Sequence, residues 1–232
     1  MWQDVREELH PQGLEVVTVA LDVGGLDDAQ RWIEAAEPQH PALIDQSHRL
    51  DELFGVVNVP SGIWIDEAGM LVRPPSPAWP GRSMWREQMK GFELPDDTPP
   101  NIVHALEVSK GIKADPDRYI AALRDWVARG ADSPHVLEPD EVIARSRPRA
   151  PEHSTAAAHF ELGQHLWRAG DRDAAVDQFK EAHRLHPDNW TYKRQAWQFV
   201  SPVLQDAREV YGTSWADEVE RAGPENYYEL DL

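Results

Sequence analysis

A chain of 232 residues has room for one large domain or two small ones, and 41% apolar residues are enough to build a core. A formal charge of −18 argues against a nucleic-acid or anionic-membrane partner, because phosphate contacts need a basic surface. With no cysteine, disulfide exchange and thiol peroxidase chemistry are excluded for the sequence as written, since both need a thiolate.

The opening Met1–Glu8 lacks the basic start and apolar stretch of a signal peptide. No later apolar run approaches the ~20 residues of a membrane span. A cytoplasmic protein without a membrane partner is expected. Trp2–His10 is a polar helical stretch ended by Pro11-Gln12-Gly13. Leu14–Asp22 is β-branched and almost continuously apolar, the pattern of a strand buried on both faces of an α/β sheet. Gly24-Gly25 breaks it. Asp27 is placed to cap a helix through Glu37, with Ala29, Trp32, Ile33 and Ala36 at helical spacing. Pro41–Asp45 is a short extended piece, and Ser47 is placed to cap a helix bearing Leu50, Leu53 and Phe54.

Phe54–Asp66, FGVVNVPSGIWID, reads as a loop through Val59-Pro60 into a short strand, Gly62–Asp66. A turn at Glu67-Ala68-Gly69 leads to a second strand, Met70–Arg73. Pro74–Pro100 is loaded with proline and carries Trp79, Met84, Trp85 and Phe92, with a helical turn expected at Ser83–Met89. Its length predicts a loop in which Trp79 and Trp85 are a candidate lid, or simply staples holding the loop to its domain. Asp115-Pro116-Asp117 opens a helix with Tyr119, Ile120, Leu123, Trp126 and Val127 on one face.

The segment Phe54–Asp66 closely resembles the cis-proline loop and strand hairpin of the thioredoxin fold, in its redoxin (TlpA/ResA) and peroxiredoxin-like branch. The resemblance implies a cis Val59–Pro60 bond, with Val59, Pro60 and Ser61 as a substrate-backbone loop facing redox cysteines. It also implies a central strand ahead of the first helix, with the cysteines where the two meet. Here MWQDVREELH looks like the stretch just after a CxxC, so the expected domain, residues 1–130, is an incomplete thioredoxin-like α/β fold with a Pro/Trp-rich insertion at 74–114. A right-handed βαβ crossover needs both parallel strands. Without the first, Leu14–Asp22 and Gly62–Asp66 flank a gap whose unpaired buried groups each cost ~1–3 kcal/mol, and whose edges invite self-association. Three origins stay open: Met1 as an internal residue of a longer oxidoreductase, a remnant whose gap is filled by rearrangement or a partner strand, or an upstream codon read as selenocysteine.

Residues 131–154, rich in Pro, Arg and Glu, read as a linker. Ala156–Asn189, AAAHFELGQHLWRAGDRDAAVDQFKEAHRLHPDN, resembles a tetratricopeptide repeat over its full period, with Leu162-Gly163, Gly170, Ala175, Phe179, Ala182 and Pro187 at the repeat's spacings. His159 stands where the repeat usually has tryptophan. An all-α helical hairpin at 155–189 is expected, followed by a helical cap and tail at 190–232. One repeat cannot bury its own apolar face. Carried over by position, Phe160, Gln164, Trp167 and Arg168 line a candidate peptide groove, or else pack on the rest of the protein.

Other chemistry finds little support. His183 and His186 stand at i, i+3, but no third ligand follows, so exposed histidines and no metal are expected. Ser61 has no G-x-S-x-G frame, and Gly24-Gly25 has no P-loop lysine. Asp22 and Asp66 end their strands where an open α/β sheet would bind a ligand, and strand-ending turns explain both equally well. No cofactor is expected. Two functions follow: a redox-inactive thioredoxin-like protein that binds a protein or peptide, or part of a thiol oxidoreductase whose nucleophile lies upstream of Met1.

Overall fold

In chain order, the elements of the computed structural model are α1 (Trp2–Leu9), β1 (Thr18–Leu21), α2 (Leu26–Ala36), β2 (Ala42–Asp45), α3 (Arg49–Phe54), β3 (Ser61–Ile65) and β4 (Leu71–Pro77). Then come α4 (Pro100–Gly111), α5 (Pro116–Arg129), α6 (Pro139–Arg145), α7 (Pro151–Ala169) and α8 (Arg172–Leu185). The chain closes with α9 (Trp190–Gln198), α10 (Arg208–Tyr211) and α11 (Trp215–Ala222). The described residues are 1–81, 94–146, 149–202 and 205–230. The result is a mixed helix-and-sheet protein with two small two-stranded sheets. Among the described residues no helix is long and apolar enough to cross a membrane.

Two compact units divide these elements. The first holds α1 to β4 together with α5 and α6; the second holds α4 and α7 to α11. The stretch expected as one insertion, 74–114, is thus shared between them. The Met84, Trp85 and Phe92 positions, and the helical turn expected at Ser83–Met89, lie outside the described residues.

In the first unit β1 and β2 are parallel, Thr18 opposite Ala42 and Leu21 opposite Asp45, with α2 as the crossover. The strand from Leu14–Asp22 is shorter than its apolar run, and its four residues are half-buried rather than buried on both faces; Val17, just before it, is 54% exposed. Among the described residues β1 has β2 as its one strand neighbour, and its apolar character exceeds what its position buries. Helix α2 begins one residue before Asp27, after Gly25, and makes no side-chain cap. Ser47 does not cap α3 either; instead Asp45 Oδ2 accepts from the Leu50 backbone N–H at 2.6 Å, reaching across from the end of β2.

The β3–β4 hairpin is antiparallel, with irregular register around Trp64. Strand β4 continues through Pro74 and Pro75 to Pro77, which edge or bulged strands tolerate because proline lacks only the donor. Trp64 centres the core. It lies among Val5, Leu9, Ala78, Tyr119, Ala122 and Leu123, and its ring stacks on Trp126 with centroids 4.8 Å apart. Residues 131–154, expected as a linker, carry α6, whose Val142 is buried, and Leu137 donates its N–H to the Val72 carbonyl at 3.1 Å.

The second unit owes its boundaries to caps. Asp171 accepts from Ala174 N–H, Asn189 from Tyr192 N–H, and Ser214 with Asp217 forms a full capping box. Between α7 and α8, Gly170 takes the left-handed conformation at φ 90° that ends the first helix. Gly163 lets the two helices close: a Cβ there would sit 2.7 Å from the Phe179 ring. A second core, Val108, Ile112, Trp190, Trp197, Ala207, Ala216, Val219 and Tyr227, joins α4 to α9 and α11.

Candidate functional site

The loop before β3 is built by Asn58. Its Oδ1 accepts from Val59 N–H at 2.9 Å and its carbonyl accepts from the Ser61 hydroxyl at 2.7 Å. The Val59–Pro60 bond is cis, and the Pro60 carbonyl accepts from Ala78 N–H at 3.1 Å. Val59, Pro60 and Ser61 are all half-buried, as is Trp79. The Ser61 hydroxyl is engaged within its own turn, a structural role that matches its lack of a nucleophile's sequence frame. Behind the loop, Gly62 is packed so closely that a Cβ would lie 2.5 Å from Tyr119 Oη and 2.8 Å from Ala78 Cβ. Trp85, the other candidate lid residue, lies outside the described residues.

The carboxyl ends of β1 and β2 collect a second group of polar residues. Asp22 follows β1, and its Oδ1 accepts from Gly24 N–H at 2.9 Å. Burial holds the Asp22 carboxyl above its ordinary range and the nearby Asp28 charge adds to this, against the Gly24 bond and the His48 ring. A Cβ on Gly24 would stand 1.9 Å from Asp28 Oδ2, so the glycine is what lets the loop fold over that carboxylate. Beyond β2, His48 sits in the left-handed region at φ 58° and its Nδ1 lies 2.9 Å from Asp51 Oδ2. Both residues are 2% exposed. A carboxyl with a raised proton affinity near a His–Asp pair can exchange protons with a bound group, at the strand ends where open α/β sheets take ligands. Among the described residues, no group of three His, Asp or Glu is arranged to hold a metal ion.

Sequence reasoning reached Asp22 but missed His48, Asp51 and Asp28. The signal was present as His-Arg-Leu-Asp at 48–51, an i, i+3 pair in which the short helix brings the two side chains together. Asp66 has a purely local role: its Oδ1 accepts from Ala68 and Met70 N–H groups in the hairpin turn.

In the helical unit the expected groove positions separate. Phe160 is 2% and Gln164 1% exposed, so neither lines an open face. Helix α9 packs on the first of them: Tyr192 stacks on Phe160 with centroids 4.3 Å apart. Trp167 is half-buried, stacked on Phe199 at 4.5 Å and with the Arg172 guanidinium 4.0 Å over its ring. Arg168 is exposed and donates to Gln164 Oε1 at 3.4 Å. A single hairpin must bury its apolar face on something, and the next helix of the same unit supplies it. His183 and His186 also depart from expectation, since neither is exposed. His186 stacks on His153 at 3.7 Å. His183 lies beside Trp197 and Tyr211, and burial pushes its ring down to about 4.

No protein-family model, no curated protein and no solved structure matches the chain.

Proposed function

We propose that the first unit is a thioredoxin-like scaffold without thiol chemistry in this chain, and that it works by binding an extended segment of a protein or peptide. The order of its elements supports the reading: a parallel β1–α2–β2 crossover, the Asn58–Ser61 loop, an antiparallel β3–β4 hairpin and a helix, α5, packed on Trp64. The observation that carries it is the pairing of the strands. Among the described residues β1 is paired only with β2, and β3 only with β4, so the two sheets do not join. Strand edges of this kind take up an extended backbone by adding a strand, with main-chain bonds supplying affinity. The second unit, a tetratricopeptide-like hairpin in this reading, is a packed scaffold, because two of its four groove positions, Phe160 and Gln164, are buried within it.

The test is amide hydrogen exchange on the full chain, with and without extended peptides selected for binding from a displayed library. Protection is expected in Val17–Leu21 and Ser61–Ile65. Binding that protects neither strand would refute the proposal. Purified protein is also expected to show no insulin reduction, and measurable reduction would overturn the redox-inactive part.

The same separation of the two sheets favours a second reading, in which a preceding strand of a longer thiol oxidoreductase, carrying cysteine or selenocysteine, completes the sheet. The intact mass of the protein from its native source separates the two: a mass well above 26.3 kDa with cysteine- or selenocysteine-bearing peptides supports the oxidoreductase. Self-association through the same edges is read by sedimentation, as a mass of two chains that falls with dilution.

A further inference from the structure

In the second unit, three buried polar atoms on neighbouring rings have no hydrogen-bond partner among the described residues: His183 Nε2, Trp197 Nε1 and Tyr211 Oη. They come from three different helices, α8, α9 and α10. The His183 ring lies 6.2 Å from that of Trp197 and 5.5 Å from that of Tyr211, centroid to centroid. Buried polar groups in folded proteins are nearly always paired, with protein or with ordered water. Three together in one place point to a shared partner.

The chemistry of the three atoms selects that partner. Trp197 Nε1 can only donate. The His183 ring bonds the Tyr192 backbone, which favours a proton on the ring, and with Nε2 unpartnered this bond falls to Nδ1. Burial keeps the ring neutral, so Nε2 offers a lone pair and can only accept. Tyr211 Oη can do either. An anion could accept from Trp197 but has no proton for Nε2. A metal ion could bind Nε2 but would repel the indole N–H. The partner must donate and accept at once and be small enough for a packed core that includes Trp190, Ala207 and Val219.

We propose that one buried water molecule bridges His183 Nε2, Trp197 Nε1 and Tyr211 Oη and so ties α8, α9 and α10 into a single hydrogen-bonded network. Buried waters characteristically make about three such bonds. The charged groups facing the cluster are Lys193 and Glu218, which pair with each other at 3.1 Å, and Lys180, whose Nζ stands 5.9 Å from the Tyr211 ring centre. The pairing of the first two leaves the bridge to neutral groups.

The experiment is water-to-protein cross-relaxation by NMR on the full chain with labelled tryptophan, the Trp197 indole N–H being assigned from its loss in Trp197→Phe. A cross-peak to water with the sign of a long-lived bound molecule is expected at that proton. His183 should show the nitrogen shifts of an Nδ1-protonated neutral ring. Tyr211→Phe removes one of three partners, and the cross-peak should weaken as the water exchanges faster. No cross-peak at the Trp197 indole in the unmodified protein would overturn the proposal. So would a crystal structure with the Tyr211 hydroxyl, or another protein group, bonded directly to His183 Nε2.

Discussion

Trp64 and Tyr119 show how single residues set this protein's first core. The Trp64 indole donates to Tyr119 Oη at 3.1 Å, and both rings are almost fully buried. Tyr119→Phe would keep the ring and remove the acceptor, leaving a buried N–H unpaired. A loss of about 1–3 kcal/mol is expected, read as a lower urea midpoint with an unchanged m-value. The apolar face of α5 was legible from the spacing of Tyr119, Leu123 and Trp126, but the Tyr119–Trp64 bond was not, because it joins residues far apart in sequence. His183 makes the same point in reverse. The lack of a third ligand reads as an exposed ring, and the placement of Trp197 and Tyr211 against it makes it half-buried.

At the scale of elements, the helical hairpin α7–α8 is the best marked in sequence, since capping residues and glycines act locally. Asp171 and Gly170 act on near neighbours, and Gly163 on Phe179 of the adjoining helix. Gly163→Ala would put a methyl group 2.7 Å from Phe179 in a closely packed interface. Overpacking of this kind costs about 1–3 kcal/mol, and a thermal melt of the variant should show it; an unshifted melting temperature would mean the helices can separate without loss. Helices α4 and α6 escaped the sequence, and strand β4 was read only over Met70–Arg73. Helix α4 runs Asn101-Ile102-Val103-His104-Ala105-Leu106 with weak periodicity, so no single face announces it. Strand β4 runs through two prolines that ordinarily argue against a strand, and it survives because pairing there is irregular and one-sided.

For the whole molecule, pH is the clearest lever. An unfolded His183 binds its proton near the ordinary 6.5, whereas in the folded chain burial lowers it to about 4. Between those values the unfolded state holds more protons, so stability falls as pH falls through that window and flattens below it. The full loss from this residue is about 3 kcal/mol. Urea midpoints measured from pH 7 to pH 4 should decline, and His183→Gln should flatten part of that decline; an identical slope in the variant would refute the assignment. Glu15 is held down to about 2 by its bond to Arg6, but on the surface, where screening leaves little effect on stability.

The sequence by itself determined what acts locally: the caps, the turns at Gly170 and Gly69, the helix of Tyr119 and Trp126, and the absence of cysteine. These depend on neighbours within one or two turns and on composition. Only the tertiary structure decided that the two sheets do not join among the described residues, that Tyr192 of α9 stacks on Phe160, and that His48 and Asp51 form a buried pair beside Asp22. Burial and pairing are set by what packs against a residue, and those partners come from elements whose contact no local pattern encodes.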